Sequence, residues 1–198
     1  MDRLHRFAMT LGMLAGLALF GGASTAEAGF LPVFLGTTPS GPNTSYDYRL
    51  DFNTSAGAEN LTTGDFVTIY DFEGFVGASS VNPLLSPGTQ FLGLNGFGTA
   101  PPDDPNVLNV VFSYNGATPL AVDTQFLVSI VSTIGTPSAV GRYSSETTLT
   151  TPPLTGLPNG QTGFVTVARA IPEPASVALM GLGTLGLVGA ARLRRRAR

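Results

Sequence analysis

Between Gly29 and Ile171 apolar and polar residues alternate in short runs, separated by clusters of Gly, Pro, Asn and Asp. A period of two sends successive side chains to opposite faces, so each run reads as a half-buried β-strand. The pattern predicts strands over Tyr46–Phe52, Asp65–Phe72, Val107–Tyr114, Gln125–Val131, Gly141–Thr150 and Gly163–Ala170, with a short one near Gln90–Leu94. Asn115-Gly116 is a tight-turn pair, so Val107–Tyr114 and Gln125–Val131 are expected to pair across that turn. Phe30–Asn43, Thr99–Asn106 and Thr150–Gly163 are interrupted by prolines and read as irregular, the first with an edge strand at its start. No stretch here sustains apolar residues at i, i+3, i+4 and i+7, so almost no helix is expected. The fold class is therefore all-β, an antiparallel β-sandwich or jelly-roll-like domain over residues 29–171.

Two apolar runs fall outside this alternation. The first, Phe7 to Phe20, follows Arg3, His5 and Arg6 and precedes small residues ending in Ala26-Glu27-Ala28. A basic n-region, an apolar h-region and an A-x-A site make residues 1–28 a signal peptide, cut between Ala28 and Gly29. The second, Ala175 to Ala191, follows Pro172-Glu173-Pro174 and precedes Arg192, Arg194, Arg195, Arg196 and Arg198. As a helix it would measure roughly 25 Å, near the lower limit for crossing a hydrocarbon core. The prolines keep the preceding chain extended, and the arginine tail 192–198 stays on the cytoplasmic side.

This order of parts at residues 172–198 resembles the PEP-CTERM sorting signal of exported Gram-negative proteins, also called an ice-binding protein C-terminal motif. The resemblance rests on Pro172, Glu173 and Pro174, the apolar span and the basic tail. It implies an exosortase-type membrane protease as partner, cutting at or near the tripeptide from an inner-membrane intermediate. The product would reach the cell surface or the extracellular matrix. The export translocase and signal peptidase are the other partners implied by the two termini. The resemblance covers about one-seventh of the chain and concerns destination, not the work of the β domain.

Without its two ends the chain is acidic. Between Gly29 and Ile171 ten carboxylates face three arginines, Arg49, Arg142 and Arg169. Such a surface lacks the basic stripe that phosphate binding needs, so nucleic acid is not expected as a partner. Lys, Cys and Trp are absent from the whole chain, and the one His is His5 in the leader. Ser-His-Asp, Cys-His and Ser-Lys catalysis, Schiff bases and imidazole or thiolate metal sites are thereby excluded from the domain.

The chemistry left is that of oxygen. Paired carboxylates of the glycosidase type would draw on Asp65, Asp71 and Glu73, or on Asp47 and Asp51. The latter pair lies on the strand face opposite Tyr46, Tyr48, Leu50 and Phe52, a solvated outer face. Calcium would take Asp103, Asp104 and Asn106 in the proline loop, the most compact oxygen cluster. A glycan such as an exopolysaccharide would stack on aromatic rings. Four of the five tyrosines sit at core positions, which leaves Tyr143, beside Arg142, as the candidate platform. The reading is a non-enzymatic exported surface protein without a resident cofactor; a glycan- or calcium-binding module and a carboxylate hydrolase are the alternatives.

Overall fold

The computed structural model describes residues 29–54 and 58–170. The leader with its cleavage site, the tripeptide, the apolar span and the arginine tail lie outside the described residues, as does Ile171.

Ten strands follow one another: β1 (Gly29–Ser40), β2 (Asn43–Asn53), β3 (Glu59–Asn60), β4 (Phe66–Ile69), β5 (Phe75–Ser80), β6 (Leu85–Gln90), β7 (Asn109–Tyr114), β8 (Thr124–Ser132), β9 (Pro137–Leu149) and β10 (Pro158–Ala168). They form a four-stranded sheet ordered β1-β2-β8-β5 and a second sheet along β10-β9-β4-β7-β6, with β3 beside β9. Every pairing is antiparallel, and no helix occurs among the described residues.

The two sheets share one core. From the first come Phe30, Tyr46, Tyr48, Leu50, Phe126, Val128 and Ile130, and from the second Val67, Ile69, Val110, Phe112, Tyr143, Val165 and Val167. Along β2 the buried positions are every second residue from Tyr46 to Phe52, as the alternation required. Two buried tyrosines add hydrogen bonds, one across the sheets and one to the loop between β8 and β9. The Tyr48 hydroxyl donates to the Thr166 carbonyl at 2.7 Å, and that of Tyr46 to the Ile134 carbonyl at 2.9 Å. The Thr166 carbonyl belongs to a bulge, where the β9–β10 register shifts between Val165 and Val167. A bulge residue is left outside the ladder, and the tyrosine supplies the partner.

Four expectations are corrected. The short strand expected near Gln90–Leu94 lies earlier, as β6, and residues 91–94 are in no strand. Phe30–Asn43 is no irregular segment: β1 runs through Pro32 and Pro39 to a Gly41-Pro42 turn, with Gly41 at φ +61°. It is an edge strand paired only with β2, and an edge tolerates residues that cannot donate to a ladder. Thr150–Gly163 is a connection only as far as Leu157, because β10 begins at Pro158. Finally, β7 and β8 do not form a hairpin. β7 pairs with β4 and β6, while β8 lies in the other sheet between β2 and β5. After Asn115-Gly116 the chain crosses between sheets, fixed by a bridge between Leu61 and Leu120 and by the Tyr114 hydroxyl on the Thr118 carbonyl.

The connection from β6 to β7, residues 91–108, lies as a strap across the outer face of the second sheet. Thr68 Oγ1 and the Tyr70 hydroxyl both donate to the Leu94 carbonyl, and the Gly96 and Phe97 amides donate to Ser144 Oγ and Glu146 Oε2. The strap explains why β4 is buried on both faces. It also explains the glycines: a Cβ at Gly96 would stand 2.0 Å from the Ser145 carbonyl oxygen, and one at Gly160 2.2 Å from that of Phe97.

Candidate functional site

β10 delivers the chain to the end of the molecule that also carries the turn after β4 and the loop between β8 and β9. There the chain is gripped from two sides. The Arg169 amide donates to the Thr136 carbonyl at 3.4 Å, and the Glu73 amide donates to the Ala168 carbonyl at 3.1 Å. Glu73 then uses its carboxylate: Oε2 accepts the Ala170 amide at 2.7 Å, and Oε1 stands 3.8 Å from Arg169 Nε. The first contact is a short charge-assisted hydrogen bond; the second is long and half exposed, so it adds direction more than energy.

The turn that presents Glu73 is built for the purpose by local sequence. Asp71 adopts φ +52° and Gly74 φ +66°. A Cβ at Gly74 would stand 2.5 Å from Thr133 Oγ1, so glycine is required both for the left-handed backbone and for the close approach. Ser132 Oγ donates to the Glu73 carbonyl at 2.7 Å, and the Thr133 amide donates to the Gly74 carbonyl at 2.8 Å. Burial pushes the Asp71 carboxyl upward, against the Asp104 amide that it accepts and the pull of Arg169. Arg169 thus stands nearest Glu73 and acts electrostatically on Asp71 and Asp104 as well.

The proline-loop oxygens face inward to their own loop. Asp103 accepts the Gly93 amide at 2.8 Å through one oxygen and Asn109 Nδ2 at 2.9 Å through the other. Asp104 Oδ1 accepts both the amide and the side-chain nitrogen of Asn106, which hold its carboxyl below the ordinary value. Among the described residues no three Asp, Glu, His or Cys side chains converge as a metal-holding group.

The other carboxylates are dispersed. Asp65 precedes β4 and Asp71 follows it, so the sequence neighbours are at opposite ends of a strand. Asp65 accepts the Thr62 amide and the Thr62 and Thr148 hydroxyls, and burial pushes its carboxyl up to about 6. On the outer face of β2, Asp47 accepts Ser45 and Ser129 hydroxyls, and Asp51 holds Arg49 at 2.6 Å.

Tyr143 is corrected. At 7% exposure it belongs to the core, lying over Gly163 of β10. The exposed aromatic of this region is instead Phe164, with the Arg142 guanidinium 3.9 Å above its ring. Glu73 as a clasp was missed as well. Its sequence neighbourhood shows an acid before a glycine, but not that Ala170, 97 residues on, would return to it.

No curated protein and no solved structure is significantly similar to this chain. A family model does match: residues 170–196 fit the PEP-CTERM protein-sorting motif. That motif implies processing by an exosortase, a membrane protease, and proteins bearing it are exported and membrane-anchored before cleavage. The match begins at the very residue whose amide Glu73 holds. The chain thus carries a match to the PEP-CTERM protein-sorting motif over residues 170–196, directly after an antiparallel all-β domain.

Proposed function

We propose that this is a non-enzymatic surface or matrix protein of a Gram-negative bacterium, delivered in three steps. Signal peptidase removes the leader between Ala28 and Gly29. The apolar span 175–191 halts translocation in the inner membrane, with Arg192 to Arg198 retained inside. An exosortase-type protease then cuts at or beside Pro172-Glu173-Pro174 and frees the domain. The observation that supports this reading is the sorting-motif match over 170–196.

The chain's own residues prepare the segment for a protease. Pro172 and Pro174 keep it extended, and Glu173 sets a charge at the membrane surface. With Ala170 clasped, one residue of sequence, Ile171, separates it from the tripeptide, a reach of at most about 7 Å to Pro172. The domain therefore stands on the protease at the moment of cutting. Replacing Pro172, Glu173 and Pro174 by Ala and following precursor size tests the scheme: the precursor is expected to accumulate, and unchanged processing would refute it.

A second reading, a glycan-binding module, draws on two exposed rings near β10, Phe97 at 67% and Phe164 at 64% exposure. Mobility on exopolysaccharide gels with and without Phe164→Ala separates it from a passive matrix component.

A further inference from the structure

The far end of the molecule from the exit holds an arrangement that the sorting scheme does not use. Gly29 is buried there, against the side chain of Gln161: a Cβ on Gly29 would lie 2.3 Å from Gln161 Oε1. Gln161 Oε1 is itself buried without a hydrogen-bond partner, and so is Ser145 Oγ, the residue opposite Gln161 in the β9–β10 ladder. Two orphaned polar atoms on one ladder pair are costly unless something fills the place between them.

A third group stands one step along the same face. Glu59 is 3% exposed, and its carboxylate accepts Thr147 Oγ1 at 2.6 Å and Asn159 Nδ2 at 2.8 Å. Thr147 and Asn159 form a ladder pair two residues from Ser145 and Gln161, which puts Glu59 about 7 Å away. Among the described residues no arginine pairs with it; Arg49 holds Asp51 and Arg169 faces Glu73. A buried carboxylate without a cation calls for one.

We propose that this corner is the seat of the amino group created when the leader is cut. The inference rests on cleavage between Ala28 and Gly29. Before the cut the Gly29 nitrogen is a neutral amide with one N–H. After it, the nitrogen is a primary ammonium with three donors and a positive charge. Gln161 Oε1 and Ser145 Oγ accept from it, and Glu59 supplies the countercharge. Leader removal thus completes the fold at the end opposite Ala170. Glycine at position 29 suits a backbone at φ +135°, which L side chains rarely adopt, and leaves the Gln161 amide its place beside it.

The chain has no Lys, so after leader removal the Gly29 amine is the one primary amine in the protein. An amine-directed succinimidyl ester therefore reads this site alone. The exported full-length protein, its N-terminus confirmed as Gly29 by sequencing, is labelled across pH in the folded and the urea-unfolded state. A raise of one pKa unit lowers the free-amine fraction about tenfold at neutral pH. The folded protein should accordingly label about tenfold more slowly, with its pH profile displaced upward. Glu59→Gln, which keeps the volume and removes the charge, should bring the profile back toward the unfolded one, and Gln161→Leu should raise the rate. Equal labelling of folded and unfolded protein overturns the proposal, as does a profile unmoved by Glu59→Gln in a folded variant. If Glu59→Gln fails to fold, the wild-type profile still decides. An N-terminus other than Gly29 defeats the cleavage reading and the inference with it, whereas fast labelling at a confirmed Gly29 defeats the inference alone.

Discussion

Glu73 and Ala170 are joined by a 2.7 Å hydrogen bond from a backbone amide to a carboxylate, across 97 residues of sequence. The bond ties down Ala170, the last of the described residues and the first of the sorting-motif match.

Glu73→Ala should loosen this exit without unfolding the domain. A charged hydrogen bond in a dry site contributes about 1.5–3 kcal/mol; with the Glu73 side chain 28% exposed, about 1 kcal/mol is expected here. For a domain of this size that lowers Tm by about 3 °C. Hydrogen exchange at the Ala170 amide should quicken well beyond that of Val167, and an unchanged Ala170 rate would contradict the clasp.

Tyr48→Phe tests the tie between the sheets. It removes the donor to the Thr166 carbonyl and leaves a partly buried bulge oxygen without it, at a cost of about 1 kcal/mol. Denaturant unfolding measures it. A neutral result would mean that the bulge finds another partner.

The strap over the second sheet depends on contact without side chains. Gly96→Ala places a methyl 2.0 Å from the Ser145 carbonyl oxygen, a backbone atom that cannot swing aside. Overpacking of this kind costs about 3 kcal/mol. The variant should melt lower and expose Tyr70, which solvent-perturbation absorbance detects; an unaltered melt would show that the strap is not seated as described.

What the sequence disclosed, and what it hid, divides along physical lines. Strands with one buried face, such as β2 and β8, were legible because alternation records which side meets the core. β5 and β6 were missed: Phe75–Ser80 and Leu85–Gln90 carry Gly, Ser and Pro and bury little, so burial leaves no pattern to read. The β7–β8 hairpin failed for a different reason. Asn115-Gly116 marks a turn, yet a turn residue fixes local direction and not the sheet that the next strand joins. The sorting motif was readable because the order of its parts is linear. The Glu73 clasp, the Gly29 corner and the burial of Tyr143 join distant parts of the chain, and no local pattern records them.

The pH dependence of stability carries the mark of Asp65. Its folded pKa, about 6, lies above the ordinary 3.8, so the folded state holds this proton more tightly than the unfolded chain does. Stability from this group is fully present below pH 3.8 and is lost as pH rises through 6, with no further change above. The loss amounts to roughly 2–3 kcal/mol. Subtracting the pH–stability curve of Asp65→Asn from that of the wild type should isolate this fall between about pH 4 and 6. A flat difference curve would contradict the burial assigned as its cause.

The delivery scheme requires that both ends of the chain are removed on the way out. Intact-mass measurement of the surface or released protein answers this most directly. The predicted species starts at Gly29, ends at or beside Pro172-Glu173-Pro174 and lacks every residue from Ala175 onward. A mass that retains Arg198 would contradict it and leave a protein tethered permanently in the membrane.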